Sequence, residues 1–248
     1  MANNFSVAIV GCGSVGSRLA MRLAEIGVER LLLMDNEMLL PQNAVRHLCG
    51  LSEAIKNTKK VNAVKRVLDD QFPKIECLIY GVDVLEYLHK GNCDFNGFDI
   101  LVSCVGDLSV ERRLDFAAKN KIIKCPIMYL WLEPYAIAAH ALYIPSLKAG
   151  TYKEFFNDKG EFIHSVLKNG FDFSKREAGC QSSFMPYSSD DSQNFIIDAS
   201  NLIVDLYNKN ERVLYSWLGD LKRAYRLGYS INDSYMDNMP FTSIKRIS

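Results

Sequence analysis

Residue types suited to holding a phosphate come early in the chain. Gly11-Cys12-Gly13-Ser14-Val15-Gly16 follows an apolar run and opens a helical pattern, and an acid, Asp35, closes the next apolar run. In this context each glycine has a distinct use: Gly11 allows a tight turn, Gly13 lets a phosphate approach the backbone, and Gly16 lets the helix pack on the sheet. The N–H groups at the start of the helix and its positive dipole end attract an anion. Asp35 can accept hydrogen bonds from ribose hydroxyls. The bland counterpart is a glycine turn with no ligand; the flanking strands and the acid favour nucleotide binding.

Nicotinamide and flavin cofactors use the same fingerprint, so the kind of nucleotide must be read downstream. Pro41-Gln42-Asn43-Ala44-Val45-Arg46-His47 lies just past the second apolar run, Lys60 opens the following helix, and Asp107 ends a later strand. In a parallel sheet all of these project to the carboxyl edge, where ligands bind. Arg46 and Lys60 can hold phosphate oxygens, and Asp107 can bind magnesium directly or through water. Such a set suits a triphosphate with a divalent metal such as Mg2+, and hydride transfer needs none of it. His47 beside Arg46 is expected to pack in its loop rather than touch phosphate. Glu133 and His140 flank a strand under the later excursion, where they could shape a channel for a partner's tail, but structural hydrogen bonding is the expectation for them; Trp131 and Trp217 are expected to pack.

The elements that must position these groups alternate. The pattern predicts strands at Phe5–Val10, Arg30–Asp35, Ile75–Val82, Phe98–Val105, Ile122–Leu132 and Ala136–Ile144, and helices at Val15–Ile26, Lys59–Phe72 and Ser109–Lys121. This is an α/β, doubly wound, mostly parallel sheet of Rossmann-like type. Residues 1–145 are expected to form the nucleotide-binding core. Residues 146–248 are expected to be a crossover segment with a buried helix, Ser192–Asn208, and C-terminal strands beginning at Val213–Leu218, all packing on the same core. Ser146–Gly179 reads as a long, weakly periodic excursion, and about the last 25 residues read as irregular.

Composition bounds the function. The 248 residues are 48% hydrophobic and carry 29 basic against 29 acidic side chains. A neutral balance argues against a nucleic-acid partner held by bulk charge. No apolar run approaches the roughly 20 residues that cross a bilayer, and Met1–Asn4 carry no basic lead into a signal sequence, so a cytoplasmic protein without a membrane partner is expected. The seven cysteines form no Cys-x-x-Cys pair, so neither a zinc knuckle nor a disulfide framework is expected. Most should be buried. Cys180 differs: it follows Gly179, and Lys175 and Arg176 are near in sequence, where positive charge lowers a thiol pKa.

The series Gly11-x-Gly13-x-x-Gly16, Asp35, Asn43-x-x-Arg46, Lys60, Asp107 resembles the ThiF and MoeB adenylating enzymes and the adenylation domains of ubiquitin-activating enzymes. The resemblance covers about residues 5 to 145 and a later cysteine. Pro41-x-Asn43-x-x-Arg46-His47 and Gly179-Cys180-Gln-Ser-Ser-Phe-Met-Pro186 are most similar to bacterial ubiquitin-activating-type proteins, some of antiphage defence operons, where the domain is fused behind a conjugating-enzyme domain. The resemblance implies that Asp35 holds ribose, Asn43 and Arg46 position the triphosphate, Lys60 stabilises charge at the attacked α-phosphate, and Asp107 organises magnesium. It implies adenylation of the C-terminal carboxylate of a ubiquitin-like or other protein, then thioester formation on Cys180, transfer to a conjugating enzyme, and a homodimer.

The chain also departs from that pattern. Many relatives read Asp-x-x-Asp-Asn where this chain has Cys104-Val-Gly-Asp107-Leu108, paired zinc cysteines are missing, and no arginine precedes the first strand. Either that arginine is absent or the chain is one domain of a longer polypeptide. The alternatives are a ThiF-type enzyme that serves a sulfur carrier or modifies tRNA, an NAD-dependent oxidoreductase, and a silent nucleotide-binding scaffold.

Overall fold

β1 (Ser6–Val10) is buried along its whole length, as expected for a central strand covered on both faces. The computed structural model describes residues 5–168, 175–176, 183–184, 187, 189–236 and 243–247. α1 (Ser14–Glu25) follows β1 after the glycine turn and buries Val15, Leu19 and Leu23. Gly27, at φ +92°, takes the left-handed conformation beyond its end. The order continues with β2 (Arg30–Met34), the short α2 (Leu51–Ala54), α3 (Lys60–Gln71), β3 (Glu76–Tyr80), α4 (Val84–His89), β4 (Ile100–Ser103), α5 (Leu108–Lys119), β5 (Ile127–Leu132) and β6 (Ala138–Ile144). Then come β7 (Leu167–Lys168), β8 (Lys175–Arg176), β9 (Ser183–Phe184), α6 (Ser189–Leu206), β10 (Val213–Leu218), α7 (Leu221–Arg226), β11 (Ser230–Ile231) and β12 (Ser243–Ile247).

The main sheet has eight strands in the order β12-β10-β6-β5-β4-β1-β2-β3. Pairing is parallel from β3 to β5 and antiparallel among β5, β6, β10 and β12. Alternate side chains feed two cores, as a period of two requires. Val7, Ile9, Leu31, Leu33 and Met128 face one core with Leu19 of α1, Val64 of α3 and Phe195 of α6. Ala8, Val10, Leu32, Leu101 and Tyr129 face the other with Leu114 of α5.

Two expectations need correction. The stretch from Ser146 is not an unpacked excursion as far as Lys168. Tyr152, Phe155, Phe162, Val166 and Leu167 are buried, held by irregular aromatic packing that leaves no periodic signal. Nor are the final residues irregular throughout, since α7, β11 and β12 lie there. β12 pairs with β10 in the register Val213↔Ile247 and β11 pairs with β7, long-range pairings that a local pattern does not announce. α4 was also missed; Asp83 caps it by accepting the N–H groups of Leu85 and Glu86. The helix expected at Ser192–Asn208 is α6, and it packs on the core of this chain with Phe195, Ile196, Ala199, Ile203 and Leu206 buried.

Candidate functional site

The sheet order sets the carboxyl ends of β4, β1 and β2 side by side, and the candidate residues follow those ends. Gly11 has φ +88°, and a Cβ on it would stand 3.0 Å from the Cys104 backbone. Gly16 is tighter: a Cβ there would come within 1.8 Å of the Gly11 carbonyl oxygen, so the helix can pack here only on glycine. Gly13 precedes α1 in extended backbone, and a Cβ on it would meet nothing within 4 Å. Its open face is what a phosphate approaching the backbone needs.

Asp35 closes the turn from β2. Its Oδ2 accepts the Cys12 N–H at 2.7 Å and its Oδ1 the Glu37 N–H at 2.8 Å. Burial raises its carboxyl above the usual value, against the pull of Lys60 and of these two donors. His47, 2% exposed, clamps the same turn from the other side. The Cys49 N–H donates to Nδ1 at 3.0 Å, so the neutral ring carries its proton on Nε2 and donates it to the Cys12 carbonyl at 2.8 Å. Burial lowers its pKa to about 4. His47 is thus a fastener for the glycine turn, in keeping with the packing expectation.

The loop that carries Arg46 is tied to α1. Arg18 donates to the Arg46 carbonyl at 3.0 Å and to the His47 carbonyl at 3.2 Å, and the Leu48 N–H donates to Ser17 Oγ at 3.1 Å. Asn43 Oδ1 accepts the Leu40 N–H at 3.0 Å, closing its own turn. The Arg46 guanidinium lies over the Tyr187 ring, 5.2 Å from its centroid, and the Tyr187 hydroxyl is hydrogen-bonded to Ser14 Oγ at the start of α1. Lys60, 7% exposed, forms an ion pair with Glu37 and acts electrostatically on Cys12, Asp35 and His47. The glycine turn, Asp35, Arg46 and Lys60 therefore gather in one place.

Asp107 stands beyond β4 and is exposed. Its Oδ1 accepts the N–H groups of Ser109 at 2.8 Å and Val110 at 3.1 Å, so it is the N-cap of α5. Among the described residues no group of three or more His, Cys, Asp or Glu could hold a metal. Magnesium here would draw its remaining ligands from phosphate and water, which is how that ion usually binds. Cys180 lies outside the described residues. The six other cysteines are free, and burial is the leading cause that pushes each thiol up, so none suits a thiolate nucleophile.

Glu133 and His140 are engaged in structural hydrogen bonds, and they bond to each other. His140 donates from Nε2 to Glu133 Oε1 at 2.7 Å, and Ser216 lies 2.9 Å from Nδ1. Glu133 also accepts the N–H groups of Val166 and Leu167, which fastens β7 to the sheet. Trp131 packs edge-on against Phe162 and Trp217 is buried. Sequence reasoning missed Arg18, Glu37 and Tyr187. Arg18 lies one helical turn beyond Ser14, on the same face, which is a usable signal. Glu37 follows Asp35 by two residues. Tyr187 lies far along the chain from the turn it meets and has no local signal.

A model of the ThiF family matches residues 2–147. The chain belongs to the ThiF family. Among curated proteins it is similar to the ATP-dependent ubiquitin transferase-like protein Cap2 of Pseudomonas aeruginosa (strain BWHPSA011 / Pa011), at 28% identity over 163 residues, 63% of this chain and 28% of that protein. It is also similar to ubiquitin-like modifier-activating enzyme 5 of Caenorhabditis elegans, at 22% identity over 59% of this chain and 36% of that protein. The chain thus spans little more than a third of these relatives at most. Among solved structures, E. coli MccB superposes with a TM-score of 0.61 at 16% identity, over 98% of this chain and 62% of MccB. MccB crystallised with AMPCPP and MccA superposes with a TM-score of 0.54 at 17% identity, over 85% of this chain and 60% of that one. At those identities the likeness is one of fold, and it covers the residues beyond 147 as well. No described helix is long and apolar enough to cross a membrane.

Proposed function

We propose that this ThiF-family chain uses ATP to adenylate the C-terminal carboxylate of a ubiquitin-like or other protein or peptide, and passes the acyl group to Cys180. The observation that carries the reading is the gathering of Asp35, Arg46 and Lys60 on a glycine turn with an open Gly13 face. The Cap2 and MccB likenesses support it, since the first is named for ATP-dependent transfer and the second was crystallised with an ATP analogue.

In this reading Asp35 holds the ribose, and Asn43 and Arg46 place the triphosphate. The substrate carboxylate attacks the α-phosphorus; the bond to the bridging oxygen breaks and pyrophosphate leaves, with Lys60 beside the charge that accumulates on the phosphoryl oxygens. Asp107 would be the protein ligand of Mg2+, which supplies charge neutralisation to the phosphates when bound. The Cys180 thiolate then attacks the acyl carbon of the mixed anhydride, the bond to the phosphate oxygen breaks, and AMP leaves. A conjugating-enzyme domain that receives the thioester, a second copy of the chain, a cytoplasmic setting and a role in antiphage defence belong to the reading through the family resemblance.

The test starts with Cys180→Lys, which should trap its acyl partner as an amide for identification by mass spectrometry. With that partner and Mg2+, the native chain should exchange labelled pyrophosphate into ATP. Asp107→Ala should abolish exchange, and Cys180→Ala should leave exchange intact while removing the thiol-labile conjugate. Exchange that needs no partner would overturn the adenylation reading, and a thiol-labile conjugate that survives Cys180→Ala would remove Cys180 from it.

A further inference from the structure

Tyr187 is the one described residue between β9 and α6, and it reaches the glycine turn from the far end of the segment that carries Cys180. α6 begins at Ser189, two residues on, and packs on α1 through their shared core, so the chain at Tyr187 is delivered to the N-terminal end of α1 by a rigid element. There the phenol makes two contacts. Its hydroxyl bonds Ser14 Oγ in the first turn of α1, and its ring lies under the Arg46 guanidinium at 5.2 Å from the centroid.

Both partners belong to the candidate phosphate site. Two hydroxyls bonded to one another use one of their two protons, which leaves the other to donate to an oxygen anion. The ring face holds the guanidinium by cation–π attraction, which fixes where the Arg46 charge stands beside the cradle. Tyr187 flanks the cradle without filling it, since the space before Gly13 is open to 4 Å. A plug would compete with a ligand; a wall that orients two donors assists it.

We propose that Tyr187 is a positioning residue of the nucleotide site: with Ser14 and Arg46 it receives the phosphate chain of a nucleoside triphosphate, and so couples triphosphate occupancy to the start of α6. The proposal rests on the nucleotide reading above. The coupling is reciprocal: whatever affinity the triphosphate gains from Tyr187, the first turn of α6 gains in stability from the triphosphate.

The test is calorimetric binding of a non-hydrolysable ATP analogue with Mg2+, and of adenosine, to the full chain and to Tyr187→Phe and Tyr187→Ala. Tyr187→Phe keeps the ring over Arg46 and loses only the hydroxyl, so analogue affinity should fall about three- to tenfold. Tyr187→Ala removes both contacts and should cost about ten- to a hundredfold, the range for a lost bond to a charged group. Adenosine affinity should not change, because a phosphate-directed role does not touch the nucleoside. In the native chain the analogue should also slow amide exchange at the start of α6, and in Tyr187→Ala it should not. Equal analogue binding by Tyr187→Ala and the native chain overturns the proposal alone, as does a parallel loss of adenosine and analogue. A native chain that binds no triphosphate overturns the nucleotide reading and this proposal with it.

Discussion

At the scale of single residues, two glycines of one motif should fail in different ways. Gly16→Ala places a methyl group 1.8 Å from the Gly11 carbonyl oxygen, which only a shift of α1 against β1 can relieve; overpacking of this kind costs about 1–3 kcal/mol or more. Gly13→Ala meets nothing within 4 Å, so its urea midpoint should match the native one while triphosphate affinity falls, the new methyl standing where the phosphate would. Equal loss of stability in the two variants would refute this division. Two buried groups give opposed pH dependences. His47 titrates at about 4 when folded against 6.5 for the free side chain, so its stabilisation is complete above pH 6.5 and declines as pH falls through 4, by about 3 kcal/mol. Glu111, buried beneath Ser103 and Tyr152, is raised by burial from 4.5 to about 7. Its contribution is complete below pH 4.5 and is lost as pH rises through 7, by a similar amount of about 3 kcal/mol. Removing one exposes the other. Across that interval the urea midpoint of His47→Gln should fall with rising pH relative to the native chain, and that of Glu111→Gln should fall with falling pH. Midpoint profiles that coincide with the native one in both variants would mean that neither group titrates as stated.

At the scale of elements, Asp107 has two duties that a pair of substitutions can separate. As N-cap of α5 it holds the N–H groups of Ser109 and Val110, and Asp107→Ala should cost about 1 kcal/mol of stability. Asp107→Asn keeps a capping oxygen, so its thermal midpoint should stay near the native value while magnesium-dependent turnover of ATP is lost. Turnover retained by Asp107→Asn would assign the residue to the helix alone. The same comparison explains what could be read from the sequence. The run from β1 through the glycine turn to α1, β2 and Asp35 was legible because each signal is local: a buried strand, a turn that needs glycine, a helical stripe, an acid at the next strand end. Arg46 and Lys60 were legible as charges placed beside a phosphate cradle. Their partners were not, because the ion pair of Lys60 with Glu37 depends on how α3 meets the loop after β2, and the contact of Arg46 with Tyr187 joins positions far apart in the chain. His47 was legible only as a packing residue; its grip on the Cys12 carbonyl needed the fold.

At the scale of the whole molecule, the nucleotide site and the C-terminal third share one core. β6, β10 and β12 extend the sheet that begins at the glycine turn, and α6 lies on α1. The elements β6, β10 and α6 were legible one by one, but their arrangement was not, since the antiparallel pairing of β10 with β6 in the register Val213↔Tyr143, and of β12 with β10, leaves no period to read. Energetics decides whether the third is an appendage. Phe195, Ile196, Ile203 and Leu206 of α6 are fully or nearly buried; at about 1.5–3 kcal/mol for each side chain their burial is worth of the order of 10 kcal/mol, comparable with the total of about 5–15 kcal/mol that holds an ordinary domain. A chain ending after Pro145 would lose that contribution, leave the outer edge of β6 unpaired, and uncover Ala139, Ala141 and Tyr143 on the face that α6 covers. Residues 1–145 alone should therefore aggregate or lack a cooperative transition, whereas the 248-residue chain should unfold in a single step by both circular dichroism and tryptophan fluorescence. Trp131 and Trp217 sit on β5 and β10, so a fluorescence midpoint that separates from the dichroism midpoint, or a soluble 1–145 fragment that binds triphosphate, would show that the phosphate cradle stands without the strands and helix that follow it.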